Sequence, residues 1–189
     1  MNNRINFQNL FLLLAFLSLA ACQPKSTDQE ASSKVEVPAM TIHQAAFMAD
    51  AKAIQQHIAA GTDLNQKDEY GSTALNIAAT FEKTDIAQLL IEAGADLEVK
   101  SADGSTALHT AAFLGRTEIV NALLVAGANT AALNNYGSTP VAPLEVPFEQ
   151  VKPVYDQLSK DLGPLGLRLN YKELEETRPL IADMIKNYQ

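Results

Sequence analysis

The sequence predicts an all-α fold built from short helix pairs stacked side by side. The stretch "EYGSTALNIAA" at 69–79 returns almost unchanged as "DGSTALHTAA" at 103–112. One series of glycines falls at 71, 104 and 137 and a second at 61, 94 and 127, so both recur every 33 residues. Several independent sets of residues with one period indicate an array of repeated units. In such an array each short helix pair buries its apolar faces against the neighbouring pairs.

Length and composition are compatible with one short array. The chain has 189 residues, of which 47% are hydrophobic, and no tryptophan. This is enough for one apolar core. The 22 Asp and Glu residues exceed the 14 Lys and Arg residues, for a net charge of −8. Because an acidic surface repels phosphate backbones, we expect no nucleic-acid partner.

The first 21 residues predict a signal peptide. Arg4 precedes the apolar run "LFLLLAFLSLAA" at 10–21, which is shorter than the ~20 residues that a membrane-spanning helix needs. The sequence "LAAC" at Leu19–Cys22 resembles a bacterial lipobox. That resemblance implies cleavage before Cys22 and a lipid, such as palmitate, on the new N-terminus. The alternative is an ordinary secretory signal with a chance cysteine, although Cys22 is the only cysteine and has no disulfide partner within the chain.

The residues after the predicted cleavage site suggest where the protein is held. Gln23 stands where lipoproteins retained at the inner membrane often have Asp, so the resemblance implies an outer-membrane lipoprotein facing the periplasm. Residues 22–38 are polar, lack an apolar repeat and predict a flexible tether. A tether of this length spans roughly 20 Å.

The third unit shows the helix pattern most clearly. Thr106 can cap a short helix, "ALHTAAFL", which Gly115 and Arg116 end. A second helix begins at Thr117 and has its apolar residues at helical spacing. Gly127 is placed to end it in the left-handed conformation.

These units resemble ankyrin repeats. The third, "ADGSTALHTAAFLGRTEIVNALLVAGAN" at 102–129, follows the family pattern throughout, the second covers 69–96, and the first, at 40–63, is degenerate but in register. The resemblance implies an ankyrin-repeat solenoid over residues 39–142, with helix–turn–helix units and β-hairpin-like loops. It also implies that His43 and His109, which share one slot with Asn76, bond the backbone of neighbouring loops.

Two departures from the family pattern affect local geometry. Ala74 and Ala107 replace the usual proline at helix starts, which weakens the cap. Glu82 stands where Gly115 stands in the next unit. We therefore expect an altered turn between the two helices of the second repeat.

Residues 143–189 predict a helical C-terminal cap. Pro143 and Pro147 prevent a normal fourth helix pair. Two helices are expected at about 151–161 and 171–187, with Pro179 kinking or splitting the second. Leu174, Ile181, Met184 and Ile185 can form an apolar stripe, whereas "KELEETR" at 172–178 predicts a solvated face. A cap would cover the last repeat, and a separate binding helix is the alternative.

No catalytic or metal-binding pattern emerges from the sequence. It contains no GxSxG, HExxH, Walker, CxxC or EF-hand motif. His57 lies on a second helix, out of register with His43 and His109, so the three histidines do not converge on a metal. We predict a chain that is not an enzyme and has no catalytic residues, cofactor or metal.

The family resemblance places partner contacts at the loop tips and on the exposed ends of the first helices. The tip candidates are Glu69, Tyr70, Ser72, Ala102, Asp103, Ser105, Asn135 and Tyr136. The helix candidates, here called the helix strip, are Phe47, Met48, Thr80, Phe81, Phe113 and Leu114. Apolar side chains of this kind are enriched at interfaces, although the phenylalanine rings could equally pack between helices as core.

These observations predict a monomeric, lipid-anchored protein-interaction module in a bacterial envelope, with one protein partner in the ankyrin groove. Some exported bacterial ankyrin proteins are linked to oxidative-stress enzymes such as periplasmic catalase, so the resemblance makes such an enzyme a candidate partner. An alternative is an immunity or inhibitor protein that blocks a toxin or hydrolase, since an acidic groove suits a basic partner. An enzyme whose site is built by the tail, or a structural spacer, are further alternatives.

Overall fold

The computed structural model describes residues 37–188, and within that range the chain is helical and has no strand. Three helix pairs come first. In chain order they are α1 (Ile42–Met48), α2 (Ala51–Ala59), α3 (Ala74–Thr80), α4 (Thr84–Glu92), α5 (Ala107–Phe113) and α6 (Thr117–Val125). Helices α1, α3 and α5 pack in one row, and α2, α4 and α6 pack in a second row behind it. The stack of paired helices predicted from the 33-residue period is therefore confirmed.

A threonine begins each helix of the first row. Thr41 accepts a hydrogen bond from Gln44 N, and Thr73 accepts one from Asn76 N. At the third start, Thr106 N donates to His109 Nδ1 at 3.2 Å. Each contact satisfies a polar group that the first helical turn leaves without an intrahelical partner. The caps therefore persist without the proline that the family pattern has after the threonine.

Small residues allow the first-row helices to lie close together. The pairs Ala45-Ala46, Ala78-Ala79 and Ala111-Ala112 are fully buried between successive helices. The second row contributes larger side chains, including Ile54, which is also fully buried. The core therefore runs the length of the stack as a continuous layer rather than collecting at one centre.

The tail is helical but does not form a fourth pair. It contains α7 (Ala142–Glu145), α8 (Phe148–Leu162), a 3₁₀ turn (Gly163–Leu165) and α9 (Tyr171–Asn187). Helix α9 packs on α5, α6 and α7. Ile181 and Ile185 are buried there, and Met184 lies at the edge of the same core, as the predicted stripe required. Helix α9 thus covers the end of the stack where another repeat would dock.

Two expectations for the tail are corrected by the structure. Helix α9 runs unbroken through Pro179, which lies on its exposed side, so the helix is not split. Water can reach the carbonyl that the proline leaves without a donor. The segment 172–178 is not wholly solvated either, since Leu174 and Arg178 are both buried. Arg178 was misassigned because a charged residue is rarely buried unless it has partners, and its partners lie far away in sequence.

The predicted signal peptide, Cys22 and nearly all of the predicted tether lie outside the described residues. Within residues 37–188, none of the helices combines the length and apolarity needed to cross a membrane.

Candidate interaction surface

The loop tips present two exposed tyrosines. At the first tip, Asp68 Oδ1 accepts hydrogen bonds from Tyr70 N and Ser72 N, and at the third, Asn134 Oδ1 accepts from Tyr136 N and Ser138 N. These bonds hold the backbone in a tight turn and leave the side chain at its apex in solvent. Tyr70 is 74% exposed and Tyr136 is 79% exposed. Both predicted tip residues are therefore available for contact.

The middle tip is joined to the third. Asn135 N donates to Asp103 O at 3.0 Å, and Asn135 Nδ2 donates to Ala102 O at 3.1 Å. Gly104 has φ +79°, and a Cβ there would lie 2.6 Å from Asn135 N, so only glycine fits between the two tips. The middle and third tips therefore form one continuous edge.

Asp103 is negatively charged at this edge. Burial opposes its ionisation, but hydrogen bonds from Ser101 Oγ and from Ser105 N and Oγ outweigh that effect, so the pKa of the Asp103 carboxyl is lowered. Ser105 is itself buried. Its hydroxyl is directed at Asp103, so Ser105 is not exposed at the tip as the predicted partner contact would require. The exposed residues nearby are Ala102 and Asp103.

The helix strip is open over the first two repeats. Phe47 is 39% exposed, and its ring meets that of Phe81 edge to face at a centroid distance of 4.9 Å. Met48 is 66% exposed, and Thr80 and Phe81 are half-buried. Both alternatives, packing between helices and exposure at the surface, therefore apply to these rings, since each ring packs on the other and is still partly exposed to solvent. We call Phe47, Met48, Thr80 and Phe81 the open strip.

Over the third repeat the helix strip is covered by the tail. The Phe113 ring stacks on Tyr155 of α8, with centroids 4.5 Å apart and an interplanar angle of 20°. The Tyr155 hydroxyl donates to Phe113 O at 2.7 Å. Leu114 is buried against Tyr155 and Leu174. In this structure the tail itself covers Phe113 and Leu114, so the surface predicted for a partner at these two residues is occupied by the chain.

Arg178 holds the covering segment in place. Its guanidinium donates to Tyr155 Oη at 3.2 Å, to Pro143 O at 2.6 Å and to Val146 O at 2.7 Å. It also lies 5.8 Å from the centre of the Phe148 ring, a cation–π distance. Burial raises the pKa of the Tyr155 hydroxyl, while the Arg178 contact opposes that rise. A buried cation needs such partners, and here they come from three parts of the tail.

Sequence reasoning missed Tyr155 and Arg178. A signal for the first was present, since Phe148, Val151, Tyr155 and Leu158 recur at helical spacing. All four contribute to the cluster that includes Leu114. No comparable local pattern marks Arg178.

The histidines are structural, as the family resemblance implied. His43 Nε2 lies 2.9 Å from Gln66 O, and His109 Nε2 lies 3.0 Å from Ser138 O. His57 bonds Met40 O and Thr62 Oγ1 instead. Asn76, in the slot of His43 and His109, leaves its Nδ2 buried without a partner. Between residues 37 and 188, no three His, Cys, Asp or Glu side chains are grouped so that they could hold a metal.

The turn within the second repeat is not altered. Ala49 has φ +57° and Glu82 has φ +56°, so both adopt the left-handed conformation of Gly115, whose φ is +73°. Glu82 also bonds Arg116 Nη1 at 2.7 Å. Burial lowers the pKa of the Arg116 guanidinium, and Glu82 opposes that effect. The expectation of an altered turn is therefore wrong, since the ion pair helps to hold a conformation that costs an L-residue about 1–2 kcal/mol.

Three stacked helix pairs with capped starts, glycine-ended second helices and linked tips define a helical-repeat protein with an exposed contact edge. The family model for ankyrin repeats (three copies) matches residues 42–139. The chain therefore belongs to the ankyrin-repeat family, whose members are typically non-catalytic and bind protein partners. A search of the curated proteins finds no match to this chain.

Proposed function

We propose that the chain is a non-catalytic, monomeric protein-binding module that holds one partner protein at the bacterial cell envelope. The observation that carries this proposal is the open strip, where the exposed side chains of Phe47 and Met48 form an apolar surface with the half-buried ring of Phe81. The exposed Tyr70 adds an aromatic side chain at the first tip. Exposed aromatic and methionine side chains are enriched at protein interfaces. The stack loses little conformational freedom on binding, which favours affinity from a modest surface.

The proposed location rests on the N-terminal sequence. The "LAAC" segment supports lipid attachment at Cys22, and Gln23 supports placement at the outer membrane, facing the periplasm. Labelling with radioactive fatty acid tests this directly. We expect label on the wild-type chain and none on Cys22→Ser. An unlabelled wild-type chain would remove the anchor from the proposal without affecting the binding surface.

Affinity capture from detergent-solubilised envelopes tests the binding function. The chain would be compared with the double variant Phe47→Ala, Tyr70→Ala and with Val125→Ala, a control of equal apolar character on α6, where it is 66% exposed. We expect the partner to be lost from the double variant and kept by the control. An oxidative-stress enzyme such as catalase is the first candidate to look for in the captured protein. Identical capture by all three chains would contradict the proposal.

The acidic character of the surface favours a second candidate, an immunity or inhibitor protein that blocks a basic toxin or hydrolase. The exposed tip residues Glu69 and Asp103 are both acidic, and the chain has a net charge of −8. Charge steering of this kind weakens as salt screens it. Strong loss of binding at raised ionic strength, together with loss of the partner's activity in the complex, would support the inhibitor. Salt-insensitive binding to an active partner would exclude it.

A further inference from the structure

The covered third repeat shows what kind of side chain the helix strip accepts. There α8 covers Phe113 through one aromatic residue, Tyr155, which is fully buried, while Leu174 of α9 also packs on Leu114. The ring stacks on Phe113 while the hydroxyl bonds the backbone carbonyl of the same residue. The contact thus combines an aromatic face with a hydrogen bond at the end of a first-row helix.

The open strip repeats the positions that α8 covers. Phe47 and Thr80 precede Phe113 by 66 and 33 residues, and Met48 and Phe81 stand in the same relation to Leu114. The positions follow one another along the stack, because α1 packs on α3 and α3 on α5. The surface over the first two repeats is therefore continuous with an interface that is already formed within the chain.

The loop tips of the same stack carry negative charge. Glu69 and Asp103 are exposed on successive tips, and Asp103 is held ionised by its hydrogen bonds. Beside Ala49, a depression of about 270 Å³ is lined by Glu82, Lys83 and Asp85, and it adds no net charge because Glu82 is already paired with Arg116. An occupant with basic residues beside its apolar contact would complement the acidic tips.

From these observations we infer that the open strip binds a basic amphipathic helix of the partner, which places an aromatic side chain against the Phe47–Phe81 pair as Tyr155 is placed against Phe113. This inference rests on the proposed protein-binding function and specifies its recognition mode. The α8 segment and the partner helix would then lie on adjoining parts of one strip. Helix-in-groove recognition through a few apolar anchors is a known mode of peptide binding.

A designed peptide tests the inference. The probe is a synthetic, fluorescein-labelled amphipathic helix with one tyrosine at the centre of its apolar face and lysines on its polar face. Its matched controls replace the tyrosine by alanine, or the lysines by glutamate. Binding to the full chain is followed by fluorescence anisotropy. We expect the tyrosine peptide to bind at least about tenfold more tightly than either control, as for an interface anchor.

Protein variants locate the contact. Phe47→Ala and Phe81→Ala should each weaken the tyrosine peptide at least about fivefold, whereas Val125→Ala should not. Phe47→Leu, which keeps an apolar side chain, would retain the fold if the alanine variant lost its helical circular dichroism. Absence of peptide binding, equal binding of the tyrosine and alanine peptides, or no effect of Phe47→Ala and Phe81→Ala would each overturn the inference. If the peptide test failed but the double variant Phe47→Ala, Tyr70→Ala still lost the envelope partner, recognition of a basic helix would be excluded. The proposed protein-binding function would be retained.

Discussion

Tyr155 lies flat against Phe113 and donates its hydroxyl hydrogen to the Phe113 carbonyl, 42 residues earlier in the chain. This contact joins α8 to the last helix of the first row. Because Phe113 ends α5, its carbonyl has no partner within the helix and would otherwise be left near an apolar cluster. The tail therefore covers the third repeat and also supplies the hydrogen-bond donor for the last carbonyl of α5.

Tyr155 should make a measurable contribution to stability. Tyr155→Phe keeps the ring but removes the bonds to Phe113 O and Arg178, and we expect it to lower the free energy of unfolding by about 1–2 kcal/mol. Tyr155→Ala also removes a fully buried ring and should cost about 3–5 kcal/mol. Urea unfolding followed by circular dichroism measures both. Tyr136→Ala, at an exposed tip, is the control and should change stability by less than about 0.5 kcal/mol. A Tyr155→Phe chain as stable as wild type would show that the hydroxyl bonds contribute nothing.

The left-handed turns at Ala49 and Glu82 should respond differently to glycine. Ala49→Gly relieves the steric cost of φ +57°, although glycine loses more conformational entropy on folding than alanine does. The net effect should be a rise in the free energy of unfolding of up to about 1 kcal/mol. Glu82→Gly relieves the same cost but leaves the nearly buried Arg116 guanidinium without its carboxylate, so we expect a net loss. The midpoints of urea unfolding for the two variants should therefore move in opposite directions. A shift in the same direction would mean that the Glu82–Arg116 pair does not stabilise the turn.

Replacing Asn76 by histidine should stabilise the second repeat. In the first and third repeats, a histidine at this position reaches a loop carbonyl, whereas Asn76 leaves Nδ2 buried and unpartnered. Asn76→His supplies the longer side chain and should raise the free energy of unfolding by about 1 kcal/mol, the usual net value of such a bond. Asn76→Ala serves as the comparison, since it removes the unpartnered amide without adding a bond. If the histidine variant were no more stable than the alanine variant, the loop carbonyl would be out of reach.

His109 should make the protein less stable in mild acid. Thr106 N can only donate, so His109 Nδ1 must accept and Nε2 must bear the proton that bonds Ser138 O. Burial lowers the pKa of His109 below its ordinary value of 6.5, because the neutral ring suits this site. The unfolded chain therefore takes up the proton first as the pH falls.

The stability due to His109 is thus fully present above about pH 6.5 and is lost as the pH falls through the lower pKa of the folded state. Urea unfolding at a series of pH values between 7.5 and 5 would show this loss in the wild type. His109→Gln should be less stable at neutral pH and should show a smaller decrease over the same range. An equal decrease in both chains would assign the pH dependence to other groups.

Repetition explains which features could be predicted from sequence. The positions of Thr106, Gly127 and His109 recur every 33 residues, and each has a local physical role, so the helix pairs and the histidine bonds followed from the pattern. The contact of Tyr155 with Phe113 could not be predicted from this pattern, because it depends on how the short, proline-containing α7 orients α8 relative to α5. Arg178 was missed for the same reason, since its bonds to Tyr155, Pro143 and Val146 exist only after the tail has packed in this way. The sequence left surface and core as alternatives for the rings of the helix strip, and the strip is open only over the first two repeats, where no later segment packs on it.

Helix α9 also has a consequence for the size of the array. It rests on α5, α6 and α7, at the end of the stack where a unit appended after the third would dock. Added repeats could be accommodated between existing units, but one appended after the third would have to displace Ile181 and Ile185 and then recreate their burial site on its own surface. The seventeen-residue helix α9 therefore blocks growth of the array at this end, and a longer contact surface would have to come from units inserted before it.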